Sequence, residues 1–275
     1  MSSEDEELAA RLAWDERKAQ LCRAPTLVGA ADMLAAAQIK PRMLAEGFVP
    51  AGAITLIIGE PGAKKSWLAY ALAIATAQGG TWLSAPVTPH GPSKAVLVLN
   101  YDNPTPECGR RFKRLGLQPT DPVWFHSVDL DPLRLPASIA ELNAIVAYVR
   151  PSLVVIDSFR QAHTDDENSS KEMSIVMGHI KGFYADGAAV VVVHHAGKSN
   201  GLGASEGVGK ARGSGEIAAS ADCIIEAKRV KSKEGDSEYD VAVWTKHRSW
   251  EIAPCDESVP FELRDIGERT ELLAA

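Results

Sequence analysis

The sequence predicts an α/β protein with a mainly parallel sheet flanked by helices. Two observations lead to this class: strand-like runs alternate with helical segments, and several of the runs are almost continuous valine, isoleucine and leucine. Such alternation is typical of parallel strands joined by crossover helices, and continuous apolar runs are typical of strands buried on both faces. The predicted strands are residues 53–58, 95–100, 123–127, 153–157 and 188–194.

Helical spacing of apolar residues predicts three helices between these strands. Glycines at 79 and 80 end the first helix, and Pro151 ends the second, because proline cannot continue a helix. The predicted helices are residues 66–77, 138–149 and 171–184.

The chain changes character after Gly215, where residues 222–230 and 239–247 flank a polar stretch and predict an antiparallel hairpin added to the sheet edge. We expect two parts in the chain, an N-terminal arm (1–24) and one domain (25–275). The charged, weakly amphipathic arm fits either a mobile tail or a segment that packs on a neighbouring subunit. The glycine-rich stretch 197–215 fits either a disordered loop or one that grips a ligand.

Composition narrows the classes of function. The net charge of −7 excludes a polybasic, histone-like mode of binding nucleic acid. The acidic N-terminus is the reverse of a signal peptide, and the longest apolar runs fall short of the roughly 20 residues that span a bilayer. Four scattered cysteines without metal spacing fit reduced thiols. We therefore expect a soluble cytoplasmic protein with no membrane partner.

The most informative stretch runs from residue 59 to residue 66, directly after a predicted strand and at the start of a predicted helix. It matches the phosphate-loop pattern G-x-x-x-x-G-K-[ST] at Gly59, Lys65 and Ser66. In such a loop, backbone N–H groups at a helix N-terminus bind phosphate, the lysine neutralises β/γ-phosphate charge and the hydroxyl binds Mg²⁺. The predicted nucleotide-binding residues are Gly59, Glu60, Pro61, Gly62, Ala63, Lys64, Lys65, Ser66 and Trp67.

Lys64 departs from this pattern, because glycine is expected at its position. A side chain there must not crowd the phosphates. If Lys64 has already entered the helix, its φ is negative and its side chain can point outward. We expect nucleotide binding to survive the substitution.

Two strands of the predicted sheet end in acidic residues. Asp157 ends the apolar run 153–157, where a carboxylate would hold Mg²⁺ at the carboxyl edge of the sheet. Asp102 follows the strand 95–100 and is a candidate to polarise the attacking water, although an aspartate before a proline-containing turn has the alternative role of shaping that turn.

A fourth strand ends in His194 and His195. Adjacent strand residues point to opposite faces and no acid or cysteine follows at ligand spacing, so a metal site is not favoured. We interpret the pair as a γ-phosphate sensor, with at least one of the two compatible with a purely structural histidine.

These pieces, in this order, resemble the RecA-like P-loop ATPases, and within them the AAA-25 family that includes plasmid RepA-type hexameric replicative helicases. The similarity runs from about residue 40 to residue 264 and is most specific at residues 157–170, 194–198 and 211–214. The resemblance implies a RecA-like P-loop NTPase fold, an ATPase activity, and ATP with Mg²⁺ as ligands.

Site residues follow from the resemblance position by position. Ser66 and Asp157 would be on the metal side, and Asp102 falls where the family usually has a catalytic glutamate. Lys246 and Arg248 look like the Lys-x-Arg element that RecA-like rings insert into a neighbour's active site, and Arg212 falls in a family motif near the subunit interface or the central channel. An arginine finger supplied by a neighbour makes hydrolysis depend on assembly.

Three functions remain open from the sequence. The first is a DNA-dependent ATPase motor, a hexameric helicase of a plasmid or phage type that binds single-stranded DNA without sequence preference. The second is an ATP-gated assembly or recombination factor that binds single-stranded DNA without unwinding. The third is a regulatory nucleotide switch with little hydrolysis. Lys64 in place of the pattern glycine and Asp102 in place of the usual glutamate are compatible with this third function.

Overall fold

In the computed structural model, the described residues are 28–90, 92–195, 214–231, 238–247 and 258–274. The chain divides into two compact units, Met1–Lys40 and Pro41–Ala275. The described part of the first unit holds one helix, α1 (Ala30–Ala36), none of whose residues is buried. The boundary between an arm 1–24 and a domain 25–275 stays a prediction.

The second unit is built on a mainly parallel sheet. Its parallel strands in the described residues are β3 (Ile54–Ile58), β6 (Val96–Asn100), β7 (Val123–Ser127), β8 (Leu153–Asp157), β9 (Ala189–Val193) and β10 (Cys223–Lys231). These six strands lie side by side in the order β10-β3-β9-β8-β6-β7. The five strands predicted before Gly215 are confirmed to within a residue or two at their ends.

Helices cover both faces of this sheet. Successive residues of a strand enter opposite cores, because side chains alternate along an extended chain: in β8, Val155 joins one apolar cluster and Val154 the other. The helices are α2 (Lys65–Gln78), α3 (Thr105–Arg114), α4 (Ile139–Val149), α5 (Phe159–Ala162), α6 (Ser170–Gly182) and α7 (Gly215–Ser220), with a 3₁₀ turn at Ala185–Gly187. The three predicted helices are confirmed as α2, α4 and α6.

The antiparallel part of the sheet is larger than predicted. Strands β10 and β11 (Glu238–His247) form the expected hairpin, and β10 joins the sheet beside β3. Two further strands, β12 (Ser258–Ile266) and β13 (Arg269–Ala274), extend the sheet beyond β11, so that the described part of the chain forms nine strands in this sheet. The sequence reasoning missed both, because their charged residues and Pro260 obscure a strand pattern.

Short strand pairs complete the unit: β1 (Met43–Ala45) with β2 (Val49–Pro50), and β4 (Thr81–Trp82) with β5 (Ala85–Pro86). No helix in the described ranges has the length and hydropathy needed to cross a membrane.

Candidate active site

The phosphate loop joins the carboxyl end of β3 to the N-terminus of α2. Gly59 is required by a close approach of backbones, because a Cβ at this position would lie 2.3 Å from the carbonyl oxygen of Ala227 in β10. Gly62 adopts a φ of +85°, which favours glycine. Within the loop, the backbone N–H of Ala63 donates to the carbonyl of Glu60. The loop is therefore tightly turned against the neighbouring strand.

Lys64 adopts the left-handed conformation that the pattern glycine would have provided, with φ +61° and ψ +19°, and it is the N-cap of α2. The expectation of a negative φ was wrong, because this turn needs a left-handed residue whether or not that residue carries a Cβ. The Lys64 ammonium lies 2.6 Å from Oδ2 of Asp240 in β11. A partly buried ion pair thus ties the loop to the C-terminal hairpin.

Asp240 is 5% exposed and also accepts a hydrogen bond from Nε of Arg229 at 3.2 Å. Burial alone would raise the pKa of Asp240, but the hydrogen bonds from Lys64 and Arg229 outweigh it and lower the pKa. The carboxylate is therefore charged near neutral pH and compensated on two sides.

Lys65 folds back over the loop that precedes it. Its ammonium donates to the carbonyl oxygens of Gly59, at 3.0 Å, and Glu60, at 2.8 Å. Burial lowers the pKa of Lys65 below 10.5, while the nearby negative charges of Asp157 and Asp102 oppose that shift. Lys65 thus places a positive charge at the mouth of the loop, where phosphate would bind.

Asp157 ends β8 and is 1% exposed. The Tyr70 hydroxyl donates to its Oδ2 at 2.5 Å, whereas Oδ1 is buried and has no hydrogen-bond partner among the described residues. Burial raises the pKa of Asp157, and the neighbouring hydroxyls of Tyr70 and Ser66 oppose this shift. An unsatisfied carboxylate oxygen beside a serine hydroxyl suits a hydrated Mg²⁺, which prefers oxygen ligands and keeps several waters.

These groups line one cavity of about 310 Å³. It brings together nine of the residues predicted from the sequence, namely Pro61, Gly62, Lys64, Lys65, Ser66, Trp67, Asp102, Asp157 and His195. Asp102 is exposed, and the Ser158 hydroxyl lies 3.5 Å from its Oδ1. The predicted metal-side residues Ser66 and Asp157 therefore share one cavity with three of the catalytic candidates, Lys65, Asp102 and His195.

Four further residues line this cavity and were missed as site residues: Asn103, Arg111, Ser158 and Val193. Arg111 belongs to a cluster of basic residues on α3, with Arg110, Lys113 and Arg114, and such a cluster alone is typical of a solvent-exposed helix face. Helical spacing could have indicated that Arg111 faces inward, because it follows the buried Cys108 by three positions and residues three apart lie on the same face of a helix. Nε of Arg111 donates to Glu107 at 3.2 Å.

A second cavity, of about 450 Å³, lies between the phosphate loop and the hairpin. Glu60 and Ala63 line this cavity and not the first one. Gly59 lines neither, and its carbonyl instead accepts from Lys65.

The side chains of His194 and His195 point in different directions, as expected for adjacent residues at the end of a strand. His195 lines the cavity, whereas His194 is fully buried and packs edge-to-face on Phe159 with ring centroids 5.1 Å apart. A direct catalytic role for His194 does not fit this position. His195 remains the candidate sensor.

Lys246, the part of the predicted finger elements that the structure describes, does not line the cavity. The Lys246 ammonium donates to three carbonyl oxygens at the end of α7, those of Ala218, Ala219 and Ala221, at 2.6 to 3.2 Å. The expected projection of Lys246 toward a neighbour is therefore replaced by a contact within its own chain. Arg212 and Arg248 lie outside the described residues.

The fold and the loop define a P-loop nucleotide-binding protein. Residues 17–201 match the AAA_25 family model, described as an AAA domain, so the chain belongs to this family. The flagellar accessory protein FlaH from Methanocaldococcus jannaschii is a similar solved structure, with a TM-score of 0.57 and 14% identity over 82% of this chain and 92% of FlaH. The predicted RecA-like P-loop fold is confirmed. These similarities support ATP binding and do not show a helicase activity.

Proposed function

We propose that this chain is a Mg²⁺-dependent ATPase whose catalytic site is the 310 Å³ cavity. The observation that carries the proposal is the meeting of Lys65, Ser66, Asp102, Asp157 and His195 around that cavity. They come from the ends of separate strands and the start of α2, at the carboxyl edge of the sheet, where α/β proteins bind their ligands.

Each group has a role that its chemistry allows. Lys65 and the N-terminus of α2 bind the phosphates, and binding exchanges the lysine's bonds to loop carbonyls for bonds to phosphate oxygen. Ser66 and Asp157 would hold a hydrated Mg²⁺, which would neutralise charge on the transferred phosphoryl group. Asp102 accepts a hydrogen bond from the attacking water. His195 hydrogen-bonds to the γ-phosphate or to that water.

Asp102 is one methylene shorter than the glutamate usual in the family this chain resembles. A shorter carboxylate reaches less far toward the water, so we expect slow turnover with intact nucleotide binding. Asp102→Asn should leave nucleotide affinity unchanged and lower the hydrolysis rate. Asp102→Glu tests reach directly, because it should raise the rate if distance limits hydrolysis.

We further propose that the ATPase acts on single-stranded DNA as a homo-oligomer, a hexameric ring of the plasmid or phage helicase type. Support comes from the family and from the order of the sequence motifs. We do not count the basic cluster on α3 as support, since three of its four members are paired with carboxylates: Arg110 and Arg111 with Glu107, and Arg114 with Asp265. Because the chain has a net charge of −7, DNA would contact only local basic segments that face a channel.

The test combines three measurements on the full chain: ATP hydrolysis with and without single-stranded DNA, unwinding of a tailed duplex, and sedimentation with and without nucleotide. Stimulation, unwinding and a ring-sized species together support the helicase. Stimulation without unwinding points instead to an ATP-gated assembly factor. If neither hydrolysis, nor unwinding, nor assembly responds to DNA, the DNA part of the proposal is overturned. The ATPase part is then judged by the rate of ATP hydrolysis without DNA.

A further inference from the structure

Tyr70 is a fully buried residue of α2 that the proposed mechanism does not use. It follows Ser66 by four positions, so the two side chains lie on the same face of the helix. That face meets the end of β8, where the Tyr70 hydroxyl donates to Oδ2 of Asp157 at 2.5 Å. The residue is thus one helical turn from the predicted Mg²⁺-binding serine and in direct contact with the predicted Mg²⁺-side acid.

The two carboxylate oxygens of Asp157 have different surroundings. Oδ2 is engaged by Tyr70, and Oδ1 has no hydrogen-bond partner in the described part of the chain although it is buried. Buried polar atoms are nearly always satisfied, so an orphaned oxygen in a cavity wall calls for a partner from the cavity, such as an ordered water or a hydrated ion. One oxygen is fixed and the other is available.

Tyr70 is itself held on two sides. Its ring stacks on Phe112 of α3 with centroids 4.5 Å apart and an angle of 29° between the planes. The amide of Asn103, a residue that lines the cavity beside Asp102, lies 3.5 Å from the Tyr70 hydroxyl. The hydroxyl therefore links the acid at the end of β8 to the turn that carries the candidate catalytic aspartate.

We propose that Tyr70 is a positioning residue for Mg²⁺, which holds Oδ2 of Asp157 so that Oδ1 faces the hydrated ion. This inference rests on the proposed ATPase function and assigns a further residue to the same site. Tyr70 acts through Asp157 and touches neither nucleotide nor metal. Outer-shell hydrogen bonds of this kind orient metal ligands, and their loss commonly lowers metal affinity 10- to 100-fold.

The test is Tyr70→Phe, which keeps the ring against Phe112 and removes the hydroxyl. Binding of a non-hydrolysed ATP analogue is titrated calorimetrically, first in chelator and then across a range of Mg²⁺ concentrations. We expect the affinity in chelator to match the wild type, and the Mg²⁺ concentration that gives half of the Mg²⁺-dependent gain to rise about tenfold or more. Tyr101→Phe is the matched control, since Tyr101 is also buried and does not line the cavity.

A cycle with Asp157→Asn separates positioning from a general loss of packing. If Tyr70 acts through Asp157, adding Tyr70→Phe to Asp157→Asn changes the Mg²⁺ dependence no further. An unchanged Mg²⁺ midpoint in Tyr70→Phe, or a full additional shift in the double variant, overturns the inference. Failure of the wild type to bind the analogue would instead overturn the proposed function, so the two failures are distinct.

Discussion

Replacing Lys64 by glycine and Asp240 by asparagine, singly and together, measures how strongly the phosphate loop is tied to β11. Lys64 stands where the phosphate-loop pattern has glycine, in a left-handed conformation, with its ammonium 2.6 Å from the Asp240 carboxylate. The Lys64 side chain is 26% exposed and that of Asp240 is 7% exposed, so the pair is only partly screened by water. The two features of Lys64 have opposite effects on stability.

The left-handed backbone costs about 1–2 kcal/mol for a residue with a Cβ, and glycine removes this cost. Glycine also adds roughly 0.5–1 kcal/mol of chain entropy to the unfolded state. The ion pair, discounted for its exposure, contributes about 1 kcal/mol. Asp240 keeps Arg229 as a partner, so losing Lys64 leaves no uncompensated buried charge. Lys64→Gly should therefore change the free energy of unfolding by less than about 1 kcal/mol.

Asp240→Asn removes the attraction to both cations, and we expect a loss of about 1–2 kcal/mol. In the Lys64→Gly background the same change should cost about 1 kcal/mol less, because only the Arg229 interaction remains to be lost. The coupling energy of the cycle is then about 1 kcal/mol, within the range for residues in direct contact.

The assay is equilibrium unfolding in urea, followed by circular dichroism, with the four proteins compared at matched m-values. Additivity of the two substitutions to within about 0.3 kcal/mol would refute the reasoning, since that is the behaviour of sites that do not interact. Repeating the cycle at high salt should reduce the coupling only in part, because the pair is partly buried.

Three further predictions concern stability. Gly59→Ala should destabilise by about 1–3 kcal/mol, because its Cβ would press on the Ala227 carbonyl. Gly178→Ala in α6 is the control: its Cβ would have no atom of the described residues within 4 Å, so the change should be neutral or stabilising in the same urea assay. The pKa of Asp240 lies below its ordinary 3.8, so the stability that its carboxylate contributes is present above that pH and is lost as pH falls through the folded-state pKa. The difference in unfolding free energy between wild type and Asp240→Asn should therefore shrink below about pH 4. A difference that stays constant with pH would contradict this. Lys246→Ala should lower the stability of the isolated chain by about 1–2 kcal/mol through loss of bonds to the α7 carbonyls, and a stability equal to wild type, with reduced hydrolysis, would favour the finger role instead.

The parts of this fold that sequence reasoning predicted depend on local signals. Strands such as β8 are short, continuously apolar runs, and the loop after β3 carries a fixed spacing of Gly59, Lys65 and Ser66. Each signal reflects physics acting within a few residues of chain, namely burial of a strand on both faces or phosphate binding at a helix N-terminus.

The parts that were missed depend on contacts between distant segments. The Tyr70–Asp157 hydrogen bond spans 87 positions, and the partner of Lys64 lies on β11. Lys246 was predicted to project toward a neighbouring subunit because the sequence does not show that the end of α7 lies beside it. Strand β12 pairs with the edge of β11, and β13 pairs in turn with β12, while their own residues carry only a weak strand pattern.

The central claim is that the cavity beside the phosphate loop hydrolyses ATP, and Lys65→Ala tests it most directly. The measurement is the rate of phosphate release from ATP with Mg²⁺ for wild type, Lys65→Ala and Lys94→Ala, in which an exposed lysine outside the cavity is removed as the control. Loss of a group that stabilises transition-state charge costs roughly 10²–10³ in rate, so Lys65→Ala should fall at least about a hundredfold while Lys94→Ala matches the wild type. Equal rates for wild type and Lys65→Ala would contradict the account.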